Sequence, residues 1–175
     1  MKKEKEQGEV IIAPRYVELQ SPIIFLAGPI RGAADWQGQA TEYIKRKKPQ
    51  LNIASPRRLL ITQDDFPEPM FVEQINWEHY HLRMAAESGV ILFWLAKELD
   101  HRCDRSYAQT TRFELGEAAA IHRFTGAKVV VGIENGFTGG KYIRKTLAGK
   151  YPGIPVCSSL EETCDMAIKL YRRPR

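Results

Sequence analysis

The chain has 175 residues, 27% of them charged and 43% hydrophobic, with a formal net charge of +5; this length suits one domain, which buries roughly two-thirds or more of the surface its unfolded form exposes. No apolar run approaches the ~18 residues of a membrane span, the opening MKKEKEQGE is charged where a secretory signal turns apolar, and Cys103, Cys157 and Cys164 form no Cys-x-x-Cys pair, so the expected setting is a reducing cytoplasm, with no membrane partner. The positive excess lies in Lys45-Arg46-Lys47-Lys48, Arg57-Arg58 and the tail Arg172-Arg173-Pro174-Arg175, without the interleaved aromatics that stack bases, which argues against polymeric nucleic acid and for an anionic small ligand.

Residues 1–8 lack apolar periodicity and read as a flexible arm, leaving 9–175 as a single α/β domain. Val10-Ile11-Ile12 is a candidate edge strand. From Pro22 onward short apolar runs alternate with longer segments of helical period, the pattern of a parallel sheet covered on both faces. The runs are Ile23 to Ala27, Leu51 to Ala54, Val90 to Leu95, Lys128 to Ile133 and Ile154 to Cys157, giving five counted strands. Helices are expected over Asp35 to Lys47, Val72 to Glu87, Thr111 to Phe124, Gly140 to Lys150 and Ser159 to Tyr171. Ser159 stands three residues before Glu162, as in a capping box, and Gly126 follows the helix that ends near Phe124. Two long irregular stretches remain, Ser55 to Met70 and Lys97 to Gln109. Long loops in a compact α/β domain are commonly functional.

In open parallel sheets ligands bind beyond the carboxyl ends of the strands, and four segments fall there. Gly28-Pro29-Ile30-Arg31-Gly32-Ala33 follows the first counted strand; its backbone N–H groups and Arg31 could hold a phosphate or ribose, or it is a plain tight turn. Gln63-Asp64-Asp65-Phe66 could meet base donors, though a solvated turn is the simpler reading. On the next helix Gln74, Trp77, Glu78 and His81 share a face, and an aromatic beside a carboxylate suits a base pocket, although a tryptophan there is more often core. His79-x-His81 supplies too few ligands for a metal, and no cofactor is implied. Gly136-Phe137-Thr138-Gly139-Gly140-Lys141 fails the phosphate-loop pattern, with Asn135 where its first Gly belongs.

The fourth segment is Thr110-Thr111-Arg112-Phe113-Glu114-Leu115-Gly116-Glu117-Ala118. Thr110 or Thr111 is expected to cap a helix, both are candidate substrate contacts, and Glu114 lies one turn in and is kept ionised by the helix dipole. An ionised carboxylate facing a pocket is what glycosyl transfer through a covalent sugar ester requires. A first-turn acid that merely complements the dipole is the alternative for Glu114, and the simpler reading of Glu117.

Taken together, Ile24-Phe25-Leu26-Ala27-Gly28-Pro29-Ile30, Gln74-x-x-Trp77-Glu78 before Val90-Ile91-Leu92-Phe93-Trp94, and Thr111 to Ala118 with its Glu-Leu-Gly core resemble the nucleoside 2-deoxyribosyltransferase family, in its divergent branch, over roughly Ile23 to Leu147. The resemblance implies a flavodoxin-like or Rossmann-like three-layer sandwich and a homo-oligomer. It implies deoxyribose transfer between bases, with Glu114 as nucleophile, Glu78 or the nearby His81 as the group that contacts the base, and Asn135 as a sugar-binding side chain from a neighbouring subunit. The substrates would be a nucleoside or nucleotide and a free base. Three positions depart from the family pattern: Phe25 replaces a tyrosine, Ser88-Gly89 replaces an acid, and no carboxylate lies between Tyr107 and Arg112. The loop Gly28 to Gly32 also resembles that of 5'-monophosphate N-glycosidases, so hydrolysis of a nucleotide is an alternative reaction. A non-catalytic nucleotide-sensing module is the alternative outside enzymes.

Overall fold

The computed structural model describes residues 7–19, 21–59 and 67–172. They form one six-stranded sheet in the order β1-β3-β2-β4-β5-β6, with every neighbouring pair parallel. The strands are β1 (Val10–Ile12), β2 (Ile23–Ala27), β3 (Asn52–Ser55), β4 (Val90–Leu95), β5 (Val129–Ile133) and β6 (Val156–Cys157). The helices are α1 (Trp36–Lys47), α2 (Glu68–Ser88), α3 (Gln109–Thr125), α4 (Gly140–Lys150) and α5 (Leu160–Tyr171).

The uninterrupted apolar strands follow from burial on both faces. Ile23, Phe25 and Ala27 of β2, with Ile91, Phe93 and Leu95 of β4, point into one core with Trp77 of α2, Leu115 of α3 and Leu147 of α4. Their alternating neighbours Ile24, Leu26, Val90, Leu92 and Trp94 enter the opposite core with Trp36, Ala40 and Ile44 of α1 and Cys164, Ala167 and Ile168 of α5. The period of two along each strand thus feeds two cores. Full burial of one such large apolar side chain stabilises by roughly 1.5–3 kcal/mol.

The sixth strand corrects the count of five. Val10-Ile11-Ile12 pairs in parallel with β3, and Ile11 is fully buried. Anchoring begins one residue before the expected domain start: Gly8 N donates to Pro49 O at 2.9 Å, and Lys45 Nζ donates to Gly8 O. Helix α2 begins four residues before Val72, because Pro67 stands at its N-cap and the first turn tolerates proline. Ser159 Oγ accepts from Glu162 N at 3.2 Å, and the left-handed Gly126 closes α3, as expected. The start of α3 differs from expectation. Neither threonine caps it: the N-cap is Ala108, in left-handed conformation with φ 54° and no side-chain cap bond, while Thr111 is buried inside the helix.

From β2 the chain crosses to α1 on one face, whereas from β4 it crosses to α3 on the other. These two adjacent strands therefore form a topological switch point, the place at which open parallel sheets bind their ligands.

Candidate active site

The loop after β2 lies at this switch point and is braced from three sides. Gly28 has φ 152°, and a Cβ there would lie 2.3 Å from Trp94 O and 2.7 Å from the Trp36 ring, so only glycine fits. Trp36 Nε1 donates to Pro29 O at 2.8 Å. Arg57 Nη2 donates to Ile30 O and Ala34 O, and its Nε donates to Gln37 Oε1 while pairing with Asp35 at 3.1 Å. Asp35 in turn caps α1 by accepting from Gly38 N. From the third side the β4–α3 loop reaches over: Leu99 N donates to Gly32 O at 2.7 Å, and that loop is itself tied back by Tyr107 Oη, which donates to Ala96 O at 2.8 Å. Gly28, Pro29, Ile30 and Arg31 are thereby held in one conformation, with Arg31 half-buried.

Helices α2 and α3 bring two carboxyl groups together, Glu78 and Glu114. Burial is the main cause that raises Glu114 to about 8, with Glu78 and then Glu117 adding repulsion. Burial also raises Glu78, against the opposing effects of a hydrogen bond from Gln74 and the positive charge of Arg58. This corrects the expectation of a Glu114 held ionised by the helix. Glu114 is the sixth residue of α3, whose first turn holds no acid, and the dipole's influence fades within that turn. Desolvation and the neighbouring carboxyl group outweigh it. Glu114 therefore favours keeping its proton near neutral pH, and the nearby Glu78 is one cause of that.

Gln74 and Arg58 organise Glu78. Gln74 Nε2 donates to Glu78 Oε1 at 2.8 Å and to Pro56 O at 2.9 Å, while Arg58 Nε donates to Gln74 Oε1 at 2.8 Å. Arg58 Nη2 also pairs with Glu73 at 2.7 Å. The signal for the first contact was the four-residue spacing of Gln74 and Glu78 on one helix face.

Trp77 and His81 lie in the interior of the protein. Both have no exposed surface, so the expected base platform and base contact are not presented to a ligand. Trp77 Nε1 donates to Arg15 O at 2.7 Å, and its ring lies 4.0 Å from that of His81 and 6.1 Å from Phe25. His81 Nδ1 lies 2.8 Å from Trp77 O; a carbonyl only accepts, so Nδ1 carries the proton. Burial lowers the pKa of His81 and favours its neutral form. Phe25, in the place of the family tyrosine, is likewise core.

Thr110 is exposed near the start of α3, and Asn135 is exposed in the turn after β5, beside Glu134, which accepts from Lys97 N at 2.9 Å. Asp64 and Asp65 lie outside the described residues. Among the described residues no group of three or more His, Cys, Asp or Glu side chains is placed to hold a metal ion, and no helix is long and apolar enough to cross a membrane.

A comparison with curated proteins finds no match. The family model described as nucleoside 2-deoxyribosyltransferase like matches residues 21–137. That span runs from the start of β2 to the turn after β5 and contains the braced loop, Gln74, Glu78, Glu114 and Asn135. With two-thirds of its length matched, the chain belongs to the nucleoside 2-deoxyribosyltransferase-like family.

Proposed function

We propose that the protein cleaves the N-glycosidic bond of a nucleoside or nucleotide and passes the (deoxy)ribosyl group, through an ester on Glu114, to a second base or to water. The observation that carries this reading is the pair of carboxyl groups that α2 and α3 bring together, with Glu114 raised to about 8 by burial and by Glu78. A glycosidic cleavage of this kind needs one carboxylate and one carboxylic acid, and two half-buried carboxyl groups that disfavour each other's charge supply both by keeping one proton between them.

In the reaction, ionised Glu114 attacks C1' of the sugar. The C1'–N bond breaks, its electron pair leaves with the base, and the base takes a proton from Glu78. The incoming base or water then attacks C1', gives its proton to Glu78 and releases the Glu114 carboxylate. Atoms and charge balance without a cofactor. In this reading the braced Gly28–Arg31 loop holds the sugar or a 5'-phosphate, Thr110 borders the pocket, and Asn135 serves the sugar of a neighbouring subunit in a homo-oligomer.

The test is incubation of a deoxynucleoside, or its 5'-monophosphate, with a second free base. Appearance of the exchanged nucleoside supports transfer, whereas base release without exchange supports the 5'-monophosphate N-glycosidase or another hydrolase. Binding without turnover by the unaltered protein would sink both and leave a nucleotide-sensing module. Arg31→Met separates the substrates: it should raise KM for the 5'-monophosphate well above any change for the nucleoside.

A further inference from the structure

The amide orientation of Gln74 is fixed by its partners. Arg58 presents only donors and the Pro56 carbonyl only accepts, so Gln74 must aim its oxygen at Arg58 and its nitrogen at Pro56 O and Glu78 Oε1. The reversed amide would set acceptor against acceptor at two contacts and donor against donor at the third. Gln74 is itself 5% exposed, so those mismatches would go unrelieved by water.

We propose that Gln74, locked by Arg58 and Pro56, is a positioning residue that confines the proton of Glu78 to Oε2 and sets how the Glu78–Glu114 pair shares it. Because an amide N–H occupies Oε1, a protonated Glu78 carries its hydrogen on the other oxygen, which is then the atom that gives and retrieves the proton during catalysis. Arg58 polarises the Gln74 amide and strengthens its donor end. The charge that acts on Glu78 is Arg58, itself paired with Glu73, while Glu78, from α2, and Glu117 act in turn on Glu114 of α3. Removing the Gln74 donor weakens the Glu78 anion, so Glu78 holds its proton more tightly. A more neutral Glu78 repels Glu114 less, so Glu114 releases its proton more readily. The two shifts therefore run in opposite directions.

The inference rests on the reading of Glu78 as the acid, but its test does not need turnover. Protein labelled with 13C at the glutamate carboxyl carbons is titrated by NMR as wild type, Glu78→Gln for assignment, and Gln74→Met. Expected for Gln74→Met is an about tenfold gain in the proton affinity of Glu78, the value of one charge-assisted hydrogen bond, together with a loss of affinity at Glu114. Arg58→Met gives a second route to the same paired shift, should Gln74→Met not fold. Loss of turnover throughout would remove the glycosyl-transfer reading and leave these titrations intact. Glu78 and Glu114 moving down together, as solvent entry would cause, or neither moving in a folded variant, would overturn the role of Gln74.

Discussion

Glu114→Gln should change how stability depends on pH, because it replaces a titrating carboxyl group by a neutral side chain of the same shape. In the folded protein Glu114 keeps its proton to about 8, against an ordinary value of 4.5. Between those values the folded state binds more protons than the unfolded state, so the group's contribution falls as pH rises and levels off above the folded value. The difference, 8 − 4.5, is 3.5 pH units, or at most about 5 kcal/mol at roughly 1.4 kcal/mol per unit. Glu114 is only half-buried, and solvent screening reduces that to on the order of 2–3 kcal/mol. Urea denaturation of wild type and variant at about pH 5 and pH 9 measures it. Wild type should lose on the order of 2–3 kcal/mol more than Glu114→Gln between the two conditions. Parallel losses would refute a Glu114 that holds its proton to about 8.

Other expectations concern rate, backbone and capping. Attack requires the Glu114 carboxylate, so kcat/KM should rise with pH through about 8; Glu78 ranks second to burial among the causes and accounts for no more than half of the rise. The residual activity of Glu78→Gln should accordingly show that limb about one pH unit lower, and an unmoved limb would separate the two carboxyl groups. Gly28→Ala forces a methyl group against Trp94 O and the Trp36 ring, and should cost on the order of 2–4 kcal/mol in urea unfolding, with a drop in kcat/KM as the loop shifts. Ser159→Ala removes the acceptor for Glu162 N; a loss of about 1 kcal/mol without a change in kcat is expected from urea unfolding and steady-state kinetics.

The fold was largely legible because its strands are buried on both faces, so Ile23 to Ala27 and Val90 to Leu95 stand out as apolar runs. The edge strand was harder to read, since Val10–Ile12 is only three residues long and is defined by its pairing with β3. Helix α3 exposes a different limit. Thr110-Thr111 has the chemistry of a cap, but the backbone turns at Ala108, whose left-handed conformation is set by the preceding loop rather than by its own side chain. At the site, Glu114 was visible through its motif, yet its protonation was not, because desolvation depends on what α2 packs against it. Trp77 and His81 share a helix face with Glu78, and spacing alone could not separate a ligand platform from the core beneath one. Helical spacing also put Gln74 beside Glu78, whereas the bond from Arg58 comes from a residue sixteen positions away.

The central claim is that Glu114 forms a bond to the sugar. Brief exposure of the protein to a 2'-fluoro-2'-deoxynucleoside, followed by intact-mass measurement and peptide mapping, tests it most directly, because fluorine slows departure of the sugar from the ester. The expected result is a single added fluorosugar on the peptide that contains Glu114, absent from Glu114→Gln. An unmodified protein that still releases base from the natural substrate, or an adduct on another residue, would contradict it.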